Sequence, residues 1–293
     1  MPTKARSKEK LRASALVMLA LSTAGSWNAT AQATISAPIP SAASFPKPTG
    51  TLDAHATLAA AADSLGMPRT LGVTPGTPRL DAVNTMQFSA SGTPFSEYHV
   101  ALAYDPPGMR VELTDPHGNP QHRIEVVAGK YAWNESEIGG GLQPGKGTAT
   151  PMMTTDKERL LWLWTLPYGV VKAGLAAGDK AKRSTENGAT VITFPLAGQL
   201  AGVTVKATLD AKYFVTKVET RADKPGLDNL LTETEYSDYA DRGEILTDLQ
   251  VPGHIVRKRG GKTVVDLHVK MVDANNPYVV FPVPDNVAKE SAE

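Results

Sequence analysis

Four acids, Glu233, Glu235, Asp238 and Asp241, crowd around Tyr236 and Tyr239. Glu233 and Glu235 are two apart and share one face of any strand that carries them. A carboxyl pair of that kind supports acid–base work on a glycosidic bond, one group donating a proton while the other activates water or attacks. The same spacing serves equally on a solvated strand face or a charged sheet edge. A cleft and a raised carboxyl pKa would separate the two readings.

Other chemistries fare less well. The run from Gly140 to Gly147 (GGLQPGKG) nearly spells a phosphate-binding loop, but Gly147 follows Lys146 where Ser or Thr should hold magnesium. No apolar strand enters it and no helix starts at Lys146, so the run reads as a flexible hairpin loop. The six histidines, His55, His99, His117, His122, His254 and His268, form no His-x-His or His-Glu-x-x-His signature, and no metal is expected. Ser89-Ala90-Ser91-Gly92 lacks the first glycine of a nucleophile elbow and lies at a strand end. No catalytic residue is assigned.

The apolar pattern says more. Leu160, Leu161, Trp162, Leu163, Trp164 and Leu166 make one short helix hydrophobic almost all round, although only one stripe can face a sheet. Near the C-terminus Val265, Leu267, Val269 and Met271 alternate with Asp266, His268 and Lys270, the period-two pattern of a strand with one dry face. Gly260-Gly261 just before it is a two-residue hairpin turn. Leu160, Trp162, Leu163, Trp164, Val265, Leu267, Val269 and Met271 are therefore the expected lining of an apolar cavity, lidded by the helix and suited to a hydrophobic ligand. A well-filled core is the plainer alternative.

The surrounding elements follow from periodicity and breakers. Residues 53–65 are alanine-rich and stopped by Gly66, a weak helix, and residues 66–78 are turn-rich and irregular. Strands are expected at 85–91, 95–104, 109–114, 123–128 and 130–134. Helix runs over 156–177, with Thr155 and Glu158 as a capping box and a break at Pro167. Seven further strands are expected at 190–195, 202–209, 213–221, 231–239, 245–258, 263–273 and 279–283. A dozen or so strands with two or three helices indicate an α+β fold, a large antiparallel sheet that must curl, with the helices against its inner face, in one domain across 51–288 with a tail at 289–293.

Composition sets the compartment. The chain has 293 residues, 41% hydrophobic and 20% charged, with a formal net charge of zero. Residues 1–12 are basic, 13–24 apolar and short, and Ala31-Gln32-Ala33 is a small-residue cleavage signal, so 1–33 reads as a secretory signal peptide and 34–50 as a proline-rich leader. Loss of the first 33 residues leaves a net charge of about −4, a poor match for nucleic acid or anionic lipid surfaces. The sequence has no cysteine, which excludes disulfides, thiolate zinc and a cysteine-linked lipid anchor. A periplasmic protein with no membrane anchor is expected.

Val218-Glu219-Thr220, the run from Glu233 to Tyr239, Val251-Pro252-Gly253-His254-Ile255-Val256, Gly260-Gly261 and Val283-Pro284-Asp285-Asn286-Val287 resemble the tail of a LolA-like domain, the superfamily of periplasmic lipoprotein carriers and outer-membrane lipoprotein-sorting proteins. The form found ahead of metallo-β-lactamase-like hydrolase domains in exported bacterial proteins is the most similar. It too places a segment like Trp164-Thr165-Leu166-Pro167-Tyr168-Gly169 before a helix. The resemblance spans residues 80–287 and implies a half-barrel holding acyl chains. The hydrolases' His-x-His-x-Asp-His motif is missing, so no hydrolase activity carries over, and the arginine that locks the carriers' cavity has no match. The combined expectation is a non-enzymatic periplasmic protein that binds an acyl chain or lipoprotein lipid without a cofactor. Its rivals are an accessory module docking a periplasmic protein partner, such as a separate metallo-hydrolase, and an enzyme using Glu233, Glu235 and Tyr236.

Overall fold

The computed structural model describes residues 53–69, 83–116, 123–222, 232–242 and 248–291, all within the compact unit Pro48–Glu293. The expected signal peptide and leader, residues 70–78 of the turn-rich stretch, His117 and His122 lie outside the described residues. The first strands are β1 (Thr85–Thr93), β2 (Glu97–Tyr104), β3 (Pro107–Thr114), β4 (Arg123–Ala128), β5 (Tyr131–Glu135) and β6 (Ala149–Pro151). After the central helices come β7 (Lys182–Glu186), β8 (Ala189–Pro195), β9 (Val203–Leu209), β10 (Val215–Ala222) and β11 (Thr232–Ser237). The last are β12 (Ala240–Asp241), β13 (Gln250–Val251), β14 (His254–Arg259) and β15 (Lys262–Ala274). The helices are α1 (Ala54–Ser64), α2 (Asp156–Thr165), α3 (Pro167–Ala177) and α4 (Asp285–Glu290).

Thirteen strands form one antiparallel sheet in the order β6-β5-β4-β3-β2-β1-β15-β14-β11-β10-β9-β8-β7, while β12 and β13 pair apart from it. Two meanders thus flank a central seam, where β1 pairs with β15. Neither edge, β6 nor β7, pairs with the other, so the sheet is open. It is also bent. The loop after β8 meets the turn after β4, nine strands away in sheet order, through Gln199. With its amide oriented to match donors and acceptors, Gln199 donates to the Gly129 carbonyl at 3.2 Å and accepts from the Lys130 N–H at 2.8 Å. The α+β fold with a large curved antiparallel sheet over helices, expected from the residues, is the fold observed, and its open, bent form is the half-barrel that the resemblance implied.

The long strand β15 begins as the sequence requires. Gly260 and Gly261 sit at φ +55° and +75°, the left-handed pair that a tight hairpin needs and that only glycine takes without strain. Two irregularities then interrupt the alternation. The register against β14 slips between Arg257 and Lys258, leaving Val264 as an extra residue, and the register against β1 slips between Ser89 and Ala90, leaving Lys270 extra. Each extra residue turns the following side chains over. Leu267, Val269 and Val272 are therefore buried, whereas Met271, expected on the dry face, is 62% exposed on the outer one.

The inner face packs on a sharp helical elbow. Leu166, ahead of Pro167, is held in an extended conformation (φ −62°, ψ 149°), because proline crowds the helical region of the residue before it. Pro167 then opens α3 at a position that needs no N–H. The two helices meet at 93°. Gly169 makes that angle possible: a Cβ there would lie 2.5 Å from the Leu163 carbonyl oxygen and 2.9 Å from the Trp164 Cα. Arg159 ties α2 to the first meander, donating to the carbonyls of Val126 (2.8 Å) and Trp133 (2.7 Å) and to Asn134 Oδ1 (2.7 Å). On the other side Tyr236 donates to the Thr165 carbonyl at 2.7 Å. The alanine face of α1 lets it lie close on α3, where Gly174 leaves room for Leu58.

Three expectations about the elements need correction. Thr155 makes no capping bond to the helix; its hydroxyl donates backward to the Met152 carbonyl, and Glu158 pairs with Arg259 across to β14. Residues 279–283 are not a strand. Pro282 and Pro284 remove ladder donors, and Phe281 and Val283 instead pack against the outer side of the first meander. There they join α4, whose Val287 is fully buried with Ile124, Val126 and Trp133 in a second small core. Of the long strand expected at 245–258, residues 245–247 lie outside the described residues, and the remainder carries β13 and β14, separated at Pro252-Gly253. The edge strands β6 and β7 and the helix α4 were not anticipated.

Candidate functional site

Leu160 and Trp164 stand one turn apart on α2 and face the same way. With Ala173, Leu175, Ala176 and Ala177 of α3 they form one wall of a cleft of about 800 Å³. Tyr104 and Pro107 at the β2–β3 turn and residues 195–200 of the β8–β9 loop form the other walls. The wall is mainly apolar, with Leu196 and Leu200 facing the helices. His55 of α1, Asp105 and Lys172 add polar groups. The Tyr104 and Trp164 rings pack at 5.6 Å, and the Lys172 ammonium lies 5.4 Å from the Tyr104 ring centre. The Gln199 bridge to Gly129 and Lys130 fixes the loop that closes one side.

Of the residues expected to line a cavity, Leu160 and Trp164 do so here. Leu163, Leu267 and Val269 are buried in the main core, and Val265 is half-buried against it. Trp162 is half-buried, with the Arg257 guanidinium 5.7 Å from its ring centre. Met271 faces outward into a separate hollow beside His99, Glu112 and Asp273. Beneath the elbow, where Val269 meets Phe88, Leu166 and Ile255, the free space is only about 20 Å³, room for at most one water. The helix pair fills the middle of the half-barrel, and the usable volume lies at its end. No pattern in the sequence pointed there, because the turn 104–107 and the loop 195–200 reach the helices only through the curl of the sheet.

The acidic pair has a different setting. Glu233 and Glu235 lie on the outer face in an alternating row of charges across five strands. Lys206 contacts Glu186 at 2.6 Å and Glu219 at 3.7 Å, and Lys217 contacts Glu219 at 3.3 Å and Glu233 at 3.7 Å. Lys258 closes the row on Glu233 (3.7 Å) and Glu235 (2.7 Å). Tyr236 points to the opposite face and is buried. The Lys258 ammonium, hydrogen-bonded to it, holds the Glu235 carboxyl below the usual carboxylate range, the reverse of what a general acid needs. A carboxyl lowered on folding stabilises the fold above its ordinary pKa, and that contribution is lost as pH falls through the lowered value. Lys258→Ala is expected to raise the Glu235 pKa toward its ordinary value in a carboxyl-carbon NMR titration. An unchanged titration would separate Lys258 from the lowering.

The glycine-rich loop also has a structural explanation. Glu135, buried on the outer face, accepts from the Trp133 indole N–H at 3.0 Å and from the Gly139 N–H at 2.9 Å, with Arg110 at 3.5 Å. A carboxylate occupies the place where a phosphate loop would present bare amides.

One grouping escaped the sequence reading. His254 on β14 stands directly opposite His268 on β15, and Asp266 lies two residues before His268 on the same face. The His254 Nε2 and Asp266 Oδ1 are 2.7 Å apart, and the two imidazoles stack at 4.6 Å with 6° between their planes. Counting back evenly from Gly260-Gly261 pairs His254 with Leu267. The extra residue at Val264 moves the register by one and brings the histidines together.

The sequence matches no protein-family model, and no curated protein is similar to it. Among solved structures, the Mycobacterium tuberculosis lipoprotein LppX is similar over 58% of this chain and 88% of that one, at 11% identity and a TM-score of 0.23, an overlap too loose to transfer site residues or activity.

Proposed function

We propose that this chain is a non-enzymatic carrier or holder of a hydrophobic ligand, and that the ligand lies in the cleft between the α2–α3 elbow and the β8–β9 loop. The cleft itself carries the reading: about 800 Å³ of mainly apolar space, within the range of small-molecule sites. Burying ten methylenes there would contribute about 8 kcal/mol before the losses of association and ordering. An acyl chain fits the walls formed by Leu160, Trp164, Leu196 and Leu200, with its polar head toward Lys172. The resemblance of the sequence to LolA-like carriers points the same way, as does a leader of secretory type, which would place the protein in the periplasm.

The accessory-module reading draws on Tyr278 and Val280, 87% and 62% exposed on the C-terminal segment. Little else favours it. The β6 edge is three residues long, and β7 (KRSTE) is polar and mostly exposed, a poor template for strand addition.

Displacement of a fluorescent fatty acid, together with native mass spectrometry of protein purified without detergent, tests the proposal. A saturable site with a micromolar or tighter Kd, or a co-purifying lipid mass, is the expected result. A ligand-free mass combined with no displacement by any chain length would refute it.

A further inference from the structure

We propose that His254, Asp266 and His268 form a site for a divalent transition cation of the Zn2+ class, independent of the cleft. The donor atoms of the three side chains lie within 4.8 Å of one another. Two imidazoles and one carboxylate are a set that zinc accepts as three protein ligands, with a further position for water or an outside ligand. Calcium and magnesium prefer all-oxygen cages and are poor occupants.

The scaffold favours assembly. All three residues sit on adjacent, directly paired strands, so their Cα positions are fixed by the ladder rather than by a loop. Their side chains remain reachable: His254 and Asp266 are 28% and 40% exposed, and His268 is exposed. The cation would take over the contact that His254 now makes with Asp266. Tetrahedral ligands at about 2.0–2.1 Å from zinc are spaced roughly 3.3 Å apart, so the 2.7 Å contact must widen slightly and the stacked rings must fan toward a common point. Exposed side chains make such rotations readily. Bound zinc would then bridge β14 and β15 next to the central seam.

Isothermal titration of the tag-free chain with ZnCl2 provides the test. One equivalent is expected to bind, with an affinity at least tenfold weaker in His268→Ala and in Asp266→Asn. Co2+ in place of zinc should give the visible bands of a four-coordinate nitrogen–oxygen site in the parent chain and not in His268→Ala. Both variants alter exposed side chains, and circular dichroism establishes that each is folded; His268→Gln replaces His268→Ala if the latter is not. Absence of a stoichiometric site, or equal affinity in parent and variants, would overturn the assignment, the latter by moving the binding to other histidines.

Discussion

Arg159→Met is expected to lower the free energy of unfolding by about 3 kcal/mol. Arg159 is only 6% exposed, and its guanidinium satisfies two strand carbonyls and an asparagine side chain at the junction of α2 with β4 and β5. Removing the donors strands those acceptors in a dry interface, at about 1–3 kcal/mol per buried polar group left without a partner. The losses are not additive, since water can enter once the side chain is shortened. Lysine at this position should recover only part of the loss, because one ammonium cannot reproduce the planar fork that reaches all three. Urea unfolding followed by tryptophan fluorescence measures it. A loss below about 1 kcal/mol would mean that solvent replaces the guanidinium at little penalty, and that α2 is held by its apolar contacts alone.

The second large effect concerns binding. Ala173→Trp places an indole inside the cleft from a half-buried position on α3, a site where the fold has space to accept it. The expected result is at least a tenfold rise in the Kd for a fluorescent fatty acid, about 1.4 kcal/mol or more, with the unfolding midpoint nearly unmoved. Met271→Trp is the matched control. It puts the same indole on the outer face, in a hollow that the proposed ligand does not use, and should leave binding as it was. If Ala173→Trp binds like the parent, the ligand lies elsewhere and the proposed site falls.

What could be read from the residues alone divides along physical lines. The elbow was legible because proline constrains both itself and Leu166, whatever surrounds them. The hairpin at Gly260-Gly261 was legible for the same local reason, and so were most strands of the two meanders. The face of Met271 was not, because the extra residue at Lys270 is defined by pairing with β1, a partner far away in sequence. The histidine pair was hidden by a second extra residue, Val264, which shifts the register against the neighbouring hairpin strand β14. The edge strand β7 carries no apolar alternation to detect, being solvated on nearly its whole length. The run 279–283 carries a strong β-forming composition, yet Pro282, with Pro284 just after it, and the open flank of β4–β6 gave it a different use. The row of charges that absorbed Glu233 and Glu235 needed the order of strands before its members could be seen as neighbours.

The seam between β1 and β15 has a consequence for how the chain reaches this state. Thr85 donates to the Asn276 carbonyl across 191 residues, and the whole β1–β15 ladder joins segments of similar separation. Each meander can zip locally as it emerges, but the two halves stay unjoined until β15 itself has been made, and contacts that distant form slowly. Truncation just before β15 should therefore leave two unsealed sheets, each exposing a flank ready to pair with another copy.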